Sequence, residues 1–397
     1  MKKVYLDYAA ATPVRREVLM AMRTYEEEFG NPSSVHSMGM VARELIEDAR
    51  RGMREVLHAD TNDLVVFTSG GTESINLALL GVARANRNRG RHIITSRVEH
   101  KAVLACCAQL EKEGFEVDYV EVDAQGRVCV SDVQKLIRKD TILVSIQYVN
   151  NETGMIQPID EISRMLKLRS QVKLQIKSQT KSHTILFHTD ACQAGLLDLD
   201  VGRLGVDLLT LNSSKVYGPH GMGLLYVRFG VLIRPVIFGG GQEWGLRSGT
   251  ENVVGIRGFV CTLELLQKEK NKELRRLHDL RQKFVSELQK KISDVFVVSD
   301  LEMSVPTLLS VGFRGVEADT LVRALSAQGI YISAGSACSA QEIQVSYVLR
   351  AMKLSEKVAR GVVRLSFGRG TTWKDLKRVV RVVEQGVSDL RRVGLLS

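Results

Sequence analysis

Short apolar runs alternate with stretches of helical periodicity over most of the first 260 residues. A short continuous apolar run is typical of a buried strand, and apolar positions three and four apart are typical of a helix. The pattern predicts strands over residues 64–67, 92–96, 117–122, 141–146, 185–189 and 207–211. It predicts helices over residues 73–84, 101–112, 131–137 and 159–168. Because strands and helices alternate, we expect right-handed crossovers and a mainly parallel sheet with helices on both faces.

The last third of the chain has a different pattern. One long helix is predicted from Val253 to about Lys291, and its later part is heavily charged. Two apolar runs, at 307–313 and 362–368, are separated and followed by helical segments. We therefore predict an α/β protein with a large, mainly parallel sheet domain and a smaller α+β C-terminal domain. The predicted boundaries are 12–257 for the large domain and 258–397, together with 1–11, for the small domain.

Composition excludes few functions. The 397 residues carry a net charge of +10, and 44% of them are hydrophobic, which supports a large buried core. The charge fits a solvated basic surface or an acidic partner, but no zinc-finger spacing or aromatic RNA-binding motif accompanies it. The N-terminal stretch predicts neither a signal peptide nor a membrane anchor, and no apolar run has the length of a membrane helix.

The cysteines are scattered, and none forms a Cys-x-x-Cys pair. Paired cysteines are typical of structural zinc sites, so no metal site is predicted. Scattered cysteines in a long chain are typical of reduced thiols, so we expect a cytoplasmic protein. They occupy positions 106, 107, 129, 192, 261 and 338.

Two turns after predicted strands carry groups that can hold a charged ligand. Residues 68–74, with the sequence TSGGTES, follow a strand and open a helix. Glycines and the first N–H groups of a helix bind anions in such turns, although a plain glycine-rich turn fits the same residues. Asp190 ends another strand. A carboxylate there either pairs with a protonated ring, such as that of a pyridoxal cofactor, or caps the next turn.

Three further segments carry candidate chemistry. Lys215 lies in a turn rich in asparagine and serine, where a buried lysine is costly unless it is paired or forms a Schiff base. Residues 239–250 are a second glycine-rich stretch, which is typical either of a phosphate-binding turn or of a flexible loop. Cys338 lies among small residues in 333–340, which leaves a thiol accessible to a substrate. Each segment alone also fits an ordinary surface or buried turn.

Taken together and in this order, the segments closely resemble the cysteine desulfurases, which belong to the class V branch of the fold-type I pyridoxal-phosphate transferases. One glycine-rich loop would be a weak signal, whereas the ordered set is specific. The resemblance extends from residue 5 to about residue 385 through YLDYAAATP, FGNPSSVH, TSGGTES, VEHKAV, VNNETG, HTDACQ, the Lys215 turn, GGGQEWGLRSGT, SAGSACSA and VVRLSFGR.

The resemblance implies a pyridoxal 5'-phosphate cofactor and a role for each matching residue. Lys215 would hold the cofactor through a Schiff base. Asp190 would pair with the pyridine nitrogen, and Gln193 would bond the ring hydroxyl. Gly71 and Thr72 would bind the phosphate.

Three more residues are implied to contact the cofactor. Asn212 and Ser214 precede the lysine, at a place where the family commonly has Ser-x-His and this chain has no imidazole. Thr250 would reach the phosphate of a neighbouring protomer, which implies a homodimer.

The remaining implied roles concern the substrate, L-cysteine. Asn151 would lie near the cofactor and the substrate carboxylate, and Arg364 would bind that carboxylate in a bidentate pair. His100 would stack on the ring and relay protons. Cys338 would attack the substrate sulfur, leaving L-alanine and a persulfide.

The resemblance leaves the sulfur acceptor open. Iron–sulfur cluster assembly through a scaffold or acceptor protein, tRNA thiolation and cofactor synthesis all fit. The alternatives to a cysteine desulfurase are a selenocysteine lyase or another class V lyase, a cofactor-binding relay protein without catalysis, and a tRNA-binding protein.

Residues 169–183 resemble an insertion relative to the family. Val172, Leu174 and Ile176 alternate with polar residues, a period-2 pattern that predicts one arm of a β-hairpin leading into the strand that ends at Asp190. A disordered basic loop is the alternative. In the hairpin, Arg169, Lys173, Lys177 and Lys181 would form a positive patch for an acidic acceptor or tRNA.

Overall fold

A computed structural model describes residues 2–27, 29–175, 184–298, 300–334 and 345–394. Its strands are β1 (Val4–Tyr5), β2 (Leu64–Thr68), β3 (His92–Ser96), β4 (Glu116–Val120), β5 (Thr141–Ser145), β6 (Leu186–Asp190), β7 (Leu208–Asn212), β8 (Gly223–Val227), β9 (Val295–Val297), β10 (Leu308–Phe313), β11 (Ile330–Tyr331) and β12 (Val362–Ser366). Its α-helices are α1 (Arg16–Tyr25), α2 (Ser37–Leu57), α3 (Gly71–Asn76), α4 (Val82–Ala85), α5 (Lys101–Lys112), α6 (Val130–Leu136), α7 (Ile159–Gln175), α8 (Val201–Leu204), α9 (Val253–Lys291), α10 (Ala318–Ala327), α11 (Tyr347–Ala351), α12 (Glu356–Ala359) and α13 (Trp373–Gly394). A π-helical turn, Leu77–Gly81, joins α3 to α4, and 3-10 turns cover Ser213–Lys215 and Glu243–Gly245.

A seven-stranded sheet in the order β2-β8-β7-β6-β5-β3-β4 forms the centre of the larger part. The prediction of a mainly parallel sheet is confirmed, because β7, β6, β5, β3 and β4 pair in parallel. The apolar pattern did not predict β8 as a strand. This strand is fully buried and runs antiparallel to β2 and β7. Since β2 and β7 both run opposite to β8, their carboxyl ends lie at the same edge as those of the parallel strands. That edge is where ligands bind in open α/β sheets.

Helix α9 connects this sheet to a second core. Its first part, through Leu266, packs in the core of the large sheet, and its later part, from Leu277, packs against β10, β12 and α13. The second core contains the three-stranded antiparallel sheet β12-β10-β9, and the N-terminal Val4 and Leu6 also pack there. The boundary between residues 257 and 258 stays a prediction. Among the helices of the described residues, none is long and apolar enough to cross a bilayer.

The predicted hairpin that leads into the strand ending at Asp190 is wrong in its first arm, because α7 continues through Gln175. The apolar face of α7 is already fixed in the core by Ile159, Ile162 and Leu166. Extending a formed helix adds one hydrogen bond for each ordered residue, whereas a two-stranded hairpin is only marginally stable alone. Lys173 therefore lies in a helix, and Lys177, Lys181 and the rest of 176–183 lie outside the described residues.

Candidate active site

A cavity of about 360 Å³ opens where the carboxyl ends of the sheet strands meet. Residues from both parts of the chain form its wall. The structure brings together there nine of the residues singled out in the sequence: Gly71, Thr72, His100, Asn151, Asp190, Gln193, Asn212, Lys215 and Arg364.

Lys215 and Asp190 come from neighbouring strands. Lys215 ends the short 3-10 turn that follows β7, and its Nζ donates to the carbonyl oxygen of Ala10. Asp190 is the last residue of β6, and its Oδ1 accepts from the backbone N–H of Cys192 at 3.0 Å. The wall thus places an amine and a buried carboxylate on one cavity.

A neutral histidine lies two residues before Asp190 on the same strand. His188 is completely buried, with Nδ1 at 2.9 Å from Ser145 Oγ and Nε2 at 3.0 Å from Thr210 Oγ1. Burial lowers the pKa of His188 to about 4, although the nearby Asp190 acts in the opposite direction. The imidazole is therefore uncharged at neutral pH and supplies no positive charge beside Asp190.

Gly71 and Thr72 begin the helical run that follows β2. The first N–H groups of a helix have no acceptor within it, so they are suited to an anion. A Cβ atom on Gly71 would lie 2.8 Å from the Sγ of Cys192. The turn can approach the end of β6 this closely because residue 71 is glycine.

Arg364 and Asn151 lie next to each other in the wall. The guanidinium of Arg364 donates through Nη1 to the carbonyl oxygen of Asn151 at 2.8 Å and through Nη2 to Oδ1 of Asp7 at 2.9 Å. Two buried atoms, Arg364 Nε and Asn151 Oδ1, have no hydrogen-bond partner. Buried polar atoms are normally paired, so these two atoms are exceptions.

His100 is held at the start of α5. Its Nδ1 accepts from the N–H of Ala102 at 3.1 Å, so Nε2 carries the hydrogen in the neutral ring. The preceding residue, Glu99, is completely buried, and burial raises the pKa of its carboxyl to about 8.

Of the singled-out residues that the structure describes, two are not in this wall. Ser214 Oγ donates to Asn212 Oδ1 at 3.0 Å. Thr250 lines a separate cavity of about 220 Å³, which Ser69 also lines. Cys338 lies outside the described residues.

Sequence reasoning missed several residues of the wall and its support. Lys101, Glu152 and Tyr347 line the cavity, and Asp7 pairs with Arg364. Lys101 and Glu152 lay inside quoted motifs, but their side chains had been given no role. Ser346, which caps α11 just before Tyr347, carried a signal, because a serine ahead of an apolar helical segment is a typical helix start.

The residues of the wall fit pyridoxal phosphate, because they combine an amine, a buried carboxylate, helix N–H groups and unpaired buried atoms. The family model "Aminotransferase class-V" matches residues 4–379. The chain is 44% identical to the cysteine desulfurase IscS of Dictyoglomus turgidum, over 99% of this chain and 96% of that protein.

Solved structures agree with this match. A NifS-like protein superposes with a TM-score of 0.89 at 37% identity, covering 98% of this chain and all of the other. The structure titled "SspA in complex with cysteine" superposes with a TM-score of 0.76 at 36% identity, covering 92% and 99%. The chain therefore belongs to the cysteine desulfurases, pyridoxal-phosphate-dependent enzymes of the class V aminotransferase family.

Proposed function

We propose that this protein converts L-cysteine to L-alanine and receives the sulfur as a persulfide on Cys338. The observation that carries the proposal is the single cavity that joins Lys215, Asp190, His100 and Arg364. The persulfide sulfur would pass to an acceptor or scaffold protein for iron–sulfur cluster assembly or tRNA thiolation.

The end of the cavity near the sheet is suited to the cofactor. Lys215 would hold it covalently, and Asp190 would keep its ring nitrogen protonated. Gln193 and Asn212 would contact the ring, and the N–H groups of Gly71 and Thr72 would take its phosphate. The bound cofactor supplies an electron sink for the negative charge that develops at the substrate Cα.

The opposite end is suited to the substrate carboxylate. Arg364 is almost completely buried and lines the cavity, so its guanidinium would pair with a carboxylate bound there. Asn151 Oδ1 can accept from a bound amine or hydroxyl. A solved relative was determined with cysteine, which supports an amino-acid ligand of this size.

Two residues would handle protons and sulfur. The fixed Nδ1 of His100 leaves Nε2 to exchange a proton with the substrate. Cys192 also lines the cavity, but burial raises the pKa of its thiol well above the ordinary value, and a protonated thiol is a poor nucleophile. The resemblance to the cysteine desulfurases assigns the sulfur to Cys338 instead.

We also propose a homodimer in which Thr250 and Ser214 serve cofactor phosphates. Thr250 lies outside the cavity of its own chain, as expected of a residue that contacts the cofactor bound by a partner. Large apolar side chains are exposed on the same chain: Phe29, Val35, Phe238 and Trp244. The cysteines of the described residues are all free, in keeping with a proposed cytoplasmic location.

One experiment tests the assignment. The cofactor-loaded protein is incubated with L-cysteine, and L-alanine and protein-bound persulfide are measured in the parent protein and in Lys215→Ala, Cys338→Ala and Cys192→Ala. We expect Lys215→Ala to form neither product and Cys338→Ala to retain the cofactor without forming persulfide. Cys192→Ala is the matched control and should form both. Borohydride reduction followed by peptide mapping should place the cofactor on Lys215, and attachment to Lys101, the other lysine in the wall, would overturn the assignment.

A further inference from the structure

The start of α11 is an anchored element beside the cavity. Val345, Val348 and Leu349 are buried in the core of the large sheet. Ser346 caps the helix by accepting from the N–H groups of Val348 and Leu349 at 3.1 and 3.4 Å. The residue between these anchors, Tyr347, is half-buried and lines the cavity.

Ser346 ties this element to the turn that carries Asn151. Its hydroxyl donates to the carboxylate of Glu152, which is 2% exposed. Burial raises the pKa of Glu152, against the effects of Ser346 and Arg364. The carbonyl oxygen of Glu152 in turn accepts from Ser310 Oγ at 2.8 Å, so the small sheet holds the same turn.

Tyr347 ties the element to the turn that carries His100. Its hydroxyl donates to the carbonyl oxygen of Glu99 at 2.6 Å, one residue before His100. A buried bond already joins the two turns, because Asn150 Nδ2 donates to the carbonyl oxygen of Val98 at 2.9 Å. The tyrosine bond adds a contact at the cavity wall, directly beside His100.

We propose that Tyr347 is a positioning residue for His100. Ser346 and the core fix the backbone of Tyr347, so that its hydroxyl holds the Glu99 carbonyl oxygen in place. This contact sets where the His100 imidazole lies relative to Asn151 and Arg364. The inference rests on the proposed role of His100 in proton transfer. It assigns no contact between the tyrosine and the reacting atoms.

The test is a double-mutant cycle with Tyr347→Phe and His100→Ala, measured on the cofactor-loaded protein. Loss of one neutral hydrogen bond should lower kcat about fivefold to tenfold in Tyr347→Phe. KM for L-cysteine, bound cofactor and the thermal midpoint should stay close to those of the parent. In the His100→Ala background, Tyr347→Phe should cause less than about a twofold further loss, because residues that act through one group are not additive.

Tyr226→Phe is the matched control. Tyr226 is buried, and its hydroxyl donates to Asp63 at 2.9 Å outside the cavity wall. This variant should lower the thermal midpoint and leave kcat unchanged. An unchanged kcat in Tyr347→Phe, or an equal loss with and without His100, would overturn the proposal. If His100→Ala retained full activity, Tyr347 would have no group to act through, while the product and mapping results for Lys215 and Cys338 would still decide the proposed function.

Discussion

Arg364 and Arg281 are both buried arginines, but they have different surroundings. Their exposed fractions are 3% and 1%, and each has an Nε atom without a hydrogen-bond partner. Arg364 pairs with the carboxylate of Asp7 and lines the cavity. Arg281 donates to the Ser304 hydroxyl and to main-chain carbonyl oxygens just before β10, and has no carboxylate within 4 Å among the described residues.

The difference shows that a buried guanidinium with an unpaired N–H is not by itself a ligand site. Burial lowers the pKa of Arg281 to about 10, so the group is still charged at neutral pH. Its charge is stabilised by carbonyl dipoles, and it holds together a loop that would otherwise leave buried acceptors unpaired. Arg364 differs because the residue also lines a cavity large enough for a substrate.

The largest expected effect comes from Arg364→Ala. Truncating one partner of a buried, hydrogen-bonded charge pair costs several kcal/mol, so kcat/KM for L-cysteine should fall on the order of 10²–10³-fold. Most of the change should be in KM, because the contact is to a carboxylate that does not react. Steady-state kinetics at equal cofactor content measure this. A kcat/KM within threefold of the parent would place the substrate carboxylate elsewhere.

Arg281→Met tests the other side of the comparison. The thioether fills part of the space but donates no hydrogen bond to the carbonyl oxygens of Leu301, Ser304 and Val305. We expect the free energy of unfolding to fall by about 2–4 kcal/mol, seen as lower urea and thermal midpoints. KM for L-cysteine should change less than about threefold. A large rise in KM without loss of stability would make Arg281 part of the site.

The sequence distinguishes these arginines only in part. Arg364 lies in VVRLSFGR, one of an ordered set of segments, and order along the chain made its role predictable. Arg281 lies in a helix with many charges, and charge alone gave no reason to separate it from the arginines beside it. Its spacing did carry a signal, because it falls on the apolar stripe formed by Leu277, Phe284 and Leu288.

Other limits of sequence reasoning have physical causes of the same kind. Apolar runs located the parallel strands, because buried strands are continuous in sequence. The period-2 alternation of Val172 and Leu174 misled, because a local pattern does not report that a helix is already anchored upstream. Asp7, Tyr347 and Glu99 act through contacts between distant segments, which no local pattern specifies.

Glu99 extends the comparison to the opposite charge. Like Arg281, it is buried without an oppositely charged partner within 4 Å among the described residues. Its carboxylate accepts from Ser96 Oγ at 2.6 Å and from the N–H of Gln147 at 2.9 and 3.1 Å. Burial raises the pKa of Glu99 from 4.5 to about 8, against these hydrogen bonds. At neutral pH most molecules therefore hold a neutral Glu99, whereas Arg281 keeps its charge.

Glu99→Gln should show the smallest effect, and only as a dependence on pH. Because the folded state binds the Glu99 proton more tightly than the unfolded state, this group's stabilisation is complete below pH 4.5 and is lost as the pH rises toward 8. The amide of the variant does not titrate, so its stability does not share this loss. The difference in thermal midpoint between variant and parent should therefore rise by about 2–4 °C in favour of the variant from pH 5.5 to pH 8.5. Any pH-independent effect of the amide on the midpoint cancels in this change. Glu113→Gln is the matched control, since pairing with Arg84 lowers the pKa of Glu113 to about 2, and its offset should stay constant over the same range. Parallel curves for Glu99→Gln and the parent would mean that Glu99 is ionised throughout, and that its hydrogen-bond donors stabilise a buried charge as the carbonyl groups around Arg281 do.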